Sequence, residues 1–224
     1  MDLTLRALSA LLAYPDEALV AAVPEIRAHA AAAPRVRKAA RRLLSRLADY
    51  LEGTDLMSLQ ERYVAQFDTG RATSLHLFEH VHGDSRDRGQ AMVDLREKYR
   101  AAGLELAAHE LPDFLPALLE YLSLRERGEV LEMLRDCAHI LRAVGERLRD
   151  HDSPYQAVFA ALLDVAGEPG FAAARAVLAE EKPIDDEWAE EPAFGGCPTA
   201  PKTSQSVIRF VPKPRPTGDR AWNS

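Results

Sequence analysis

Between Leu3 and Leu163 the chain is a series of runs in which apolar residues, mostly leucine, fall three or four apart, the spacing that lines up one face of an α-helix, and proline or glycine separates several of the runs. A chain patterned this way buries its apolar surface by packing helix faces against one another. The first stripe is Leu3, Leu5, Leu8, Leu11 and Leu12; past Tyr14-Pro15-Asp16 comes Leu19, Val20, Val23 and Ile26. Pro24 predicts a kink or interruption in that second helix, because it lacks an amide donor and crowds the preceding turn. A third helix is expected over about 34–53, with Pro34 at its first position and Gly53 at its stop. Ser58 and Glu61 stand at capping-box spacing and open a fourth, which ends at Asp68-Thr69-Gly70. Further helices are expected over about 87–102, from Pro112 and from about Glu129 to Arg149. Another follows the N-cap signature Ser153-Pro154-Tyr155-Gln156 and stops at Gly167, and a short last one covers about 171–180.

Composition narrows the class. Apolar residues are 47% of the chain but aromatics only 7%, most of the rest being Ala and Leu, with few β-branched residues. This excludes an all-β fold and predicts an all-α protein, a single helical bundle over residues 1–181. Two cysteines, Cys137 and Cys197, exclude a disulfide scaffold and a Cys-based zinc or iron–sulfur site. The apolar stretch Leu3–Tyr14 is interrupted by Arg6 and has no basic flank or cleavage site, so neither a signal peptide nor stable membrane insertion is expected; the reading is a cytoplasmic protein.

Net charge is −7, and residues 197–224 carry +4, leaving −11 on the rest. An acidic body argues against nucleic acid as a partner. After Glu180 the character changes: an acidic run to Glu191 is followed by Gly, Pro, Ser and Thr, and half the prolines lie beyond residue 182. Residues 182–224 therefore read as a flexible, Pro-rich tail, acidic then basic, dispensable for folding. Within it Val207–Val211 alternates like a strand.

The densest cluster of chemically capable side chains is His76-Leu77-Phe78-Glu79-His80-Val81-His82. On a helix His76 and His80 would share a face, which suits a zinc ligand pair, yet the HExxH order is missing and no third ligand stands at the right spacing. The alternative this leaves open is a metal-dependent helical hydrolase using His76, His80 and Glu79. Gly83 and Gly89 do not match a phosphate loop, and no catalytic constellation is evident, so neither catalytic residues, a cofactor nor a metal is expected. Distinctive residues instead crowd between Tyr63 and Asp113, as on a recognition surface.

Those residues carry a resemblance. Tyr63-Val64-Ala65-Gln66-Phe67-Asp68, the run from Arg71 to Met92 containing SLHLFEHVHGDSRDRGQ, and Leu12-Ala13-Tyr14-Pro15 are similar to the nitrate reductase delta subunits, NarJ-type molybdenum-cofactor assembly chaperones. Glu110-Leu111-Pro112-Asp113-Phe114-Leu115-Pro116 resembles an element of the wider redox-enzyme maturation chaperones, with Phe114 where that element commonly has His. The resemblance covers about residues 1–180. It implies an all-helical cytoplasmic chaperone, not an enzyme, that binds the N-terminal peptide of the apo catalytic alpha subunit of respiratory nitrate reductase. It would keep that subunit competent for molybdenum cofactor insertion before membrane attachment, with molybdenum cofactor biosynthesis proteins as further candidate partners. On this reading Tyr63, Phe67 and Phe78 anchor the peptide, and Asp68, Glu79, Glu110 and Asp113 receive its basic groups. His76, His80, His82, Arg86 and Arg88 order the central loop.

Overall fold

The structure, a computed structural model, describes residues 1–81, 86–106 and 110–171. They form an all-α bundle: α1 (Leu3–Leu12), α2 (Glu17–Ala32), α3 (Lys38–Gly53), α4 (Leu56–Phe67), α5 (Leu77–Val81), α6 (Arg86–Ala101), α7 (Leu115–Ser123), α8 (Arg127–Asp136), α9 (Ala138–Asp150) and α10 (Gln156–Ala166), with a 3₁₀ turn at Arg71–Thr73. The expected helix over about 171–180, the strand-like patch and the tail from 182 lie outside the described residues.

Helix starts follow capping chemistry more than the proline positions. Asp2 caps α1 by accepting from Thr4 N at 3.0 Å, and Asp16 caps α2 by accepting from Leu19 N at 2.7 Å. Asp55, not Ser58, caps α4: its Oδ1 accepts from Ser58 N at 3.0 Å. The carboxylate is one residue outside the helix, where the unpaired first-turn amides point. Pro34 does not open α3, which begins at Lys38, and α7 begins at Leu115 rather than Pro112. The second helix runs uninterrupted through Pro24, whose exposed position leaves the lost hydrogen bond to water rather than to packing.

The core gathers on α10. Ala157, Val158, Phe159, Ala161, Leu162, Leu163, Val165 and Ala166 are all buried, the all-round apolar character of a central helix. Around it pack α9, α3 and α8, while α1 lies along α7 and α2 along α3. Asp164 is the one charged residue of α10, and it accepts from the backbone and guanidinium of Arg37. The helix stops at Gly167, as its sequence signal predicts: φ is +77°, and Glu168 N reaches back to Leu163 O at 2.9 Å.

The apolar stripe from Glu129 to Arg149 does not make one helix. It breaks at Cys137 (φ −96°, ψ 4°) into α8 and α9, so that both segments lie against α10. The Cys137 thiol is buried, contacts Met133 O at 3.2 Å and has its pKa pushed up to about 12 by that burial.

Gly145 of α9 marks the tightest approach in this layer. A Cβ there would come within 2.8 Å of the Phe159 Cβ and 2.6 Å of the Phe171 ring. Gly to Ala inside a helix ordinarily gains about 1 kcal/mol. Here overpacking, at about 1–3 kcal/mol, outweighs that gain. Gly145→Ala should therefore lower the thermal midpoint rather than raise it, which a melting curve against wild type reads directly.

Candidate functional site

Two segments well separated in the sequence are folded into one unit. Residues 75–77 pair with 113–115: Leu77 N donates to Asp113 O at 3.1 Å, Leu115 N donates to Leu75 O at 2.9 Å, and His76 and Phe114 form an isolated antiparallel bridge. Asp113 is the pin. Its side chain is fully buried, its Oδ2 accepts from Phe78 N at 3.0 Å, and its Oδ1 lies 3.4 Å from Nδ1 of His76. The Phe114 ring packs on the His76 imidazole, centroids 5.3 Å apart. Around this pin, His80 Nε2 meets Ser74 O at 2.9 Å, Arg71 donates to Glu79 O at 2.7 Å, and Arg88 reaches Glu79 Oε1 at 3.4 Å. Tyr99 of α6, itself buried, donates to Pro112 O at 2.7 Å. Neither segment could hold this conformation alone, since α5 is only five residues long.

On the other side of the 3₁₀ turn, α4 presents an apolar face to solvent. Met57 is 70% exposed, Tyr14 50% and Val64 39%. With Gln60, Glu61, Ala65 and Thr69 they line a shallow concavity of about 460 Å³. Two acids, Glu61 in its wall and the exposed Asp68 at the end of α4, add negative charge. Sequence reasoning missed this strip. The signal was present: Met57 and Val64, seven apart, lie off the buried stripe of Leu59, Tyr63 and Phe67. A second cleft, about 270 Å³, is formed by Tyr99, Tyr121, Leu104 and Leu106 with Glu105, Glu110 and Glu120.

Comparison with known proteins bears on both segments and on α4. The family model for the nitrate reductase delta subunit matches residues 33–161, which hold α4, the 71–81 segment and the 110–116 segment. The chain belongs to that family. It is 46% identical over 158 residues to the nitrate reductase molybdenum cofactor assembly chaperone NarJ of Escherichia coli (strain K12), covering 70% of this chain and 67% of that one. It is 40% identical to the assembly chaperone NarW of the same organism, over 84% of this chain and 81% of the relative. Among solved structures, a redox enzyme maturation protein from Archaeoglobus fulgidus aligns with TM-score 0.52 at 23% identity, over 70% of this chain and 88% of that one, a likeness of fold.

Within this delta-subunit fold several expected roles are corrected. Tyr63 and Phe67 are buried, not presented to a partner. They form an aromatic cluster with Tyr155 (Tyr63–Phe67 4.9 Å, Phe67–Tyr155 5.1 Å), and the Tyr63 hydroxyl donates to Leu12 O at 2.8 Å. Burial raises the Tyr63 phenol pKa, so it stays a donor. Asp113, fully buried, cannot receive a partner's basic group; its acceptors are used inside the fold. His76 precedes α5 while His80 lies within it, so the two do not share a helix face, and each turns to a different partner. Among the described residues no three His, Cys, Asp or Glu side chains converge as a metal site. Phe78 and Glu79 are half-buried, and Asp68 and Glu110 are exposed. Arg86 opens α6, though its side chain, like His82, lies outside what is described. No helix among the described residues is long and apolar enough to cross a membrane.

His76 makes the pin pH-dependent. The hydrogen bond to the Asp113 carboxylate raises its pKa, with half-burial working the other way, Asp113 and Glu79 adding attraction and Arg88 opposing. A raised folded-state pKa contributes stability fully below the unfolded value of about 6.5, and the contribution is lost as pH rises through the folded value. The difference in thermal midpoint between wild type and His76→Gln should therefore be largest near pH 5.5 and close towards pH 8.5. A gap independent of pH would mean the imidazole acts by packing on Phe114 alone.

Proposed function

We propose that this protein is a system-specific chaperone of nitrate reductase. In this reading it takes the apo catalytic alpha subunit by that subunit's N-terminal peptide. It holds the subunit, in the cytoplasm, for molybdenum cofactor insertion and complex assembly before membrane attachment, and has no catalytic activity of its own. The observation that carries the reading is the strip on α4: exposed Tyr14, Met57 and Val64 along a concavity, with Glu61 and Asp68 beside it. An amphipathic helix recognised in a groove needs apolar contact spaced along one face and charges at the rim to set its register. A strip of solvent-facing apolar side chains is otherwise unfavourable to keep. The relatives' designation as molybdenum cofactor assembly chaperones supports the same role.

The decisive test is a strain deleted for this protein, assayed for nitrate reductase activity and for molybdenum in the purified alpha subunit. A chaperone of this kind predicts alpha subunit present but poor in molybdenum, restored by the wild-type chain. Normal activity and molybdenum content in the deletion strain would refute it.

A further inference from the structure

The cleft between α7 and the loop that follows α6 carries charge of one sign. Its wall holds Glu105, Glu110 and Glu120, all exposed, and among the described residues no basic side chain lines it. None of the three makes an ion pair among the described residues, and Arg125, just past α7, pairs with Glu129 instead. The floor is apolar: Leu104, Leu106 and Ala117 are half-buried along it, and the buried Tyr99 and Tyr121 close it on the core side.

A cleft lined by charge of one sign concentrates ions of the other. The three carboxylates do not converge closely enough to hold a metal ion. At about 270 Å³ the cleft is also smaller than sites that enclose a small-molecule ligand, about 300–1,000 Å³. Exposed acids above an apolar floor instead match a long cationic side chain, which lays its aliphatic stem on apolar surface and keeps its charge at the rim. The cleft is close to the α4 strip. Tyr14 of the strip packs edge-on against Tyr63, centroids 5.5 Å apart. Burial raises the Tyr63 phenol pKa, and Asp68 beside the strip, Tyr155 and Glu110 of the cleft all add to that effect. We infer that this cleft seats one lysine or arginine side chain of the peptide whose apolar face lies on α4, with the stem on Leu104, Leu106 and Ala117 and the charge among Glu105, Glu110 and Glu120. This rests on the peptide reading above, and adds to it the residues that select a basic client.

The test is calorimetric titration of the full chain, at about 0.1 M salt so that distant charges are screened, with the N-terminal alpha-subunit peptide. The same titration is run with peptides in which each Lys or Arg is replaced in turn by Gln. Glu105→Gln, Glu110→Gln and Glu120→Gln combined should weaken binding about tenfold, the loss of a charge-assisted contact to one cation. A control with the same change of net charge, Glu17→Gln, Glu25→Gln and Glu132→Gln on α2 and α8, should bind within about twofold of wild type. All six positions are exposed, so the melting curves of both variants should match wild type. One basic position of the peptide should account for the loss: its replacement weakens binding to wild type about tenfold and to the cleft variant hardly at all. Equal losses in the cleft variant and the control would overturn the inference, because they show a diffuse field and not a seat. So would a cleft variant that binds like wild type, or one whose loss adds to that of every basic position. In those cases the peptide still binds and the α4 reading stands. If wild type does not bind at ~100 μM peptide, that reading fails and the inference with it.

Discussion

Replacing Met57 and Val64 together by alanine should weaken binding of an N-terminal alpha-subunit peptide by at least about thirtyfold, from a wild-type Kd of about 1 nM to 1 μM. The two side chains are 70% and 39% exposed and on the solvent face of α4, so they contribute little to the fold. Alanine also favours the helix, and loss of binding cannot be loss of α4. Covering them with a peptide would gain about 1–2 kcal/mol each beyond alanine, which is a thirtyfold change or more when both are removed. Glu61 and Asp68 add screened attraction for basic groups, so affinity should also fall modestly with salt. Calorimetric titration of wild type, the double variant and Phe78→Ala separates the sites. If Phe78→Ala weakens binding and the double variant does not, the peptide lies on α5 rather than α4. No binding of wild type at ~100 μM peptide, far above the expected Kd, would remove the peptide mechanism altogether.

Asp113→Ala should destabilise the protein by about 3 kcal/mol, seen as a fall of roughly 6–12 °C in the thermal midpoint for a body of this size. The carboxylate is fully buried, and its loss removes the hydrogen bond from Phe78 N–H and the charge partner of His76. Removing one member of a buried charged contact costs more than the contact contributes, because the remaining donors have lost their water as well. Asp113→Asn keeps an oxygen for Phe78 N and should cost about 1 kcal/mol. An Asp113→Ala protein melting within about 2 °C of wild type would show that 75–78 and 113–115 are held by backbone pairing alone.

The helices were legible because burial of a helix leaves a 3.6-residue trace: Leu44, Leu47, Ala48 and Leu51 of α3 are buried, the face the leucine spacing marks. The stop at Gly167 was legible because a left-handed residue is a local requirement that glycine meets cheaply. The break at Cys137 was not, since no proline or glycine stands there and the apolar stripe runs on through it. What divides α8 from α9 is the surface of α10, a partner remote in the chain.

The candidate site divides the same way. Its neighbourhood, residues 63 to 113, stood out by composition and carried the family resemblance that the matched model bears out. Which of its side chains face a partner did not, and Tyr63, Phe67 and Asp113 went to the interior while Met57 and Val64 were left outside. An aromatic ring or a carboxylate suits a surface or a satisfied interior equally well, and its own neighbours do not decide between them. The sequence by itself determined the all-α class, most helix spans and the family, because these rest on local periodicity and on contiguous motifs. The tertiary structure alone decided the Asp113 pin, the split at Cys137 and the exposed strip on α4. Each depends on residues tens of positions away that supply or withhold a hydrogen-bond donor or an apolar surface.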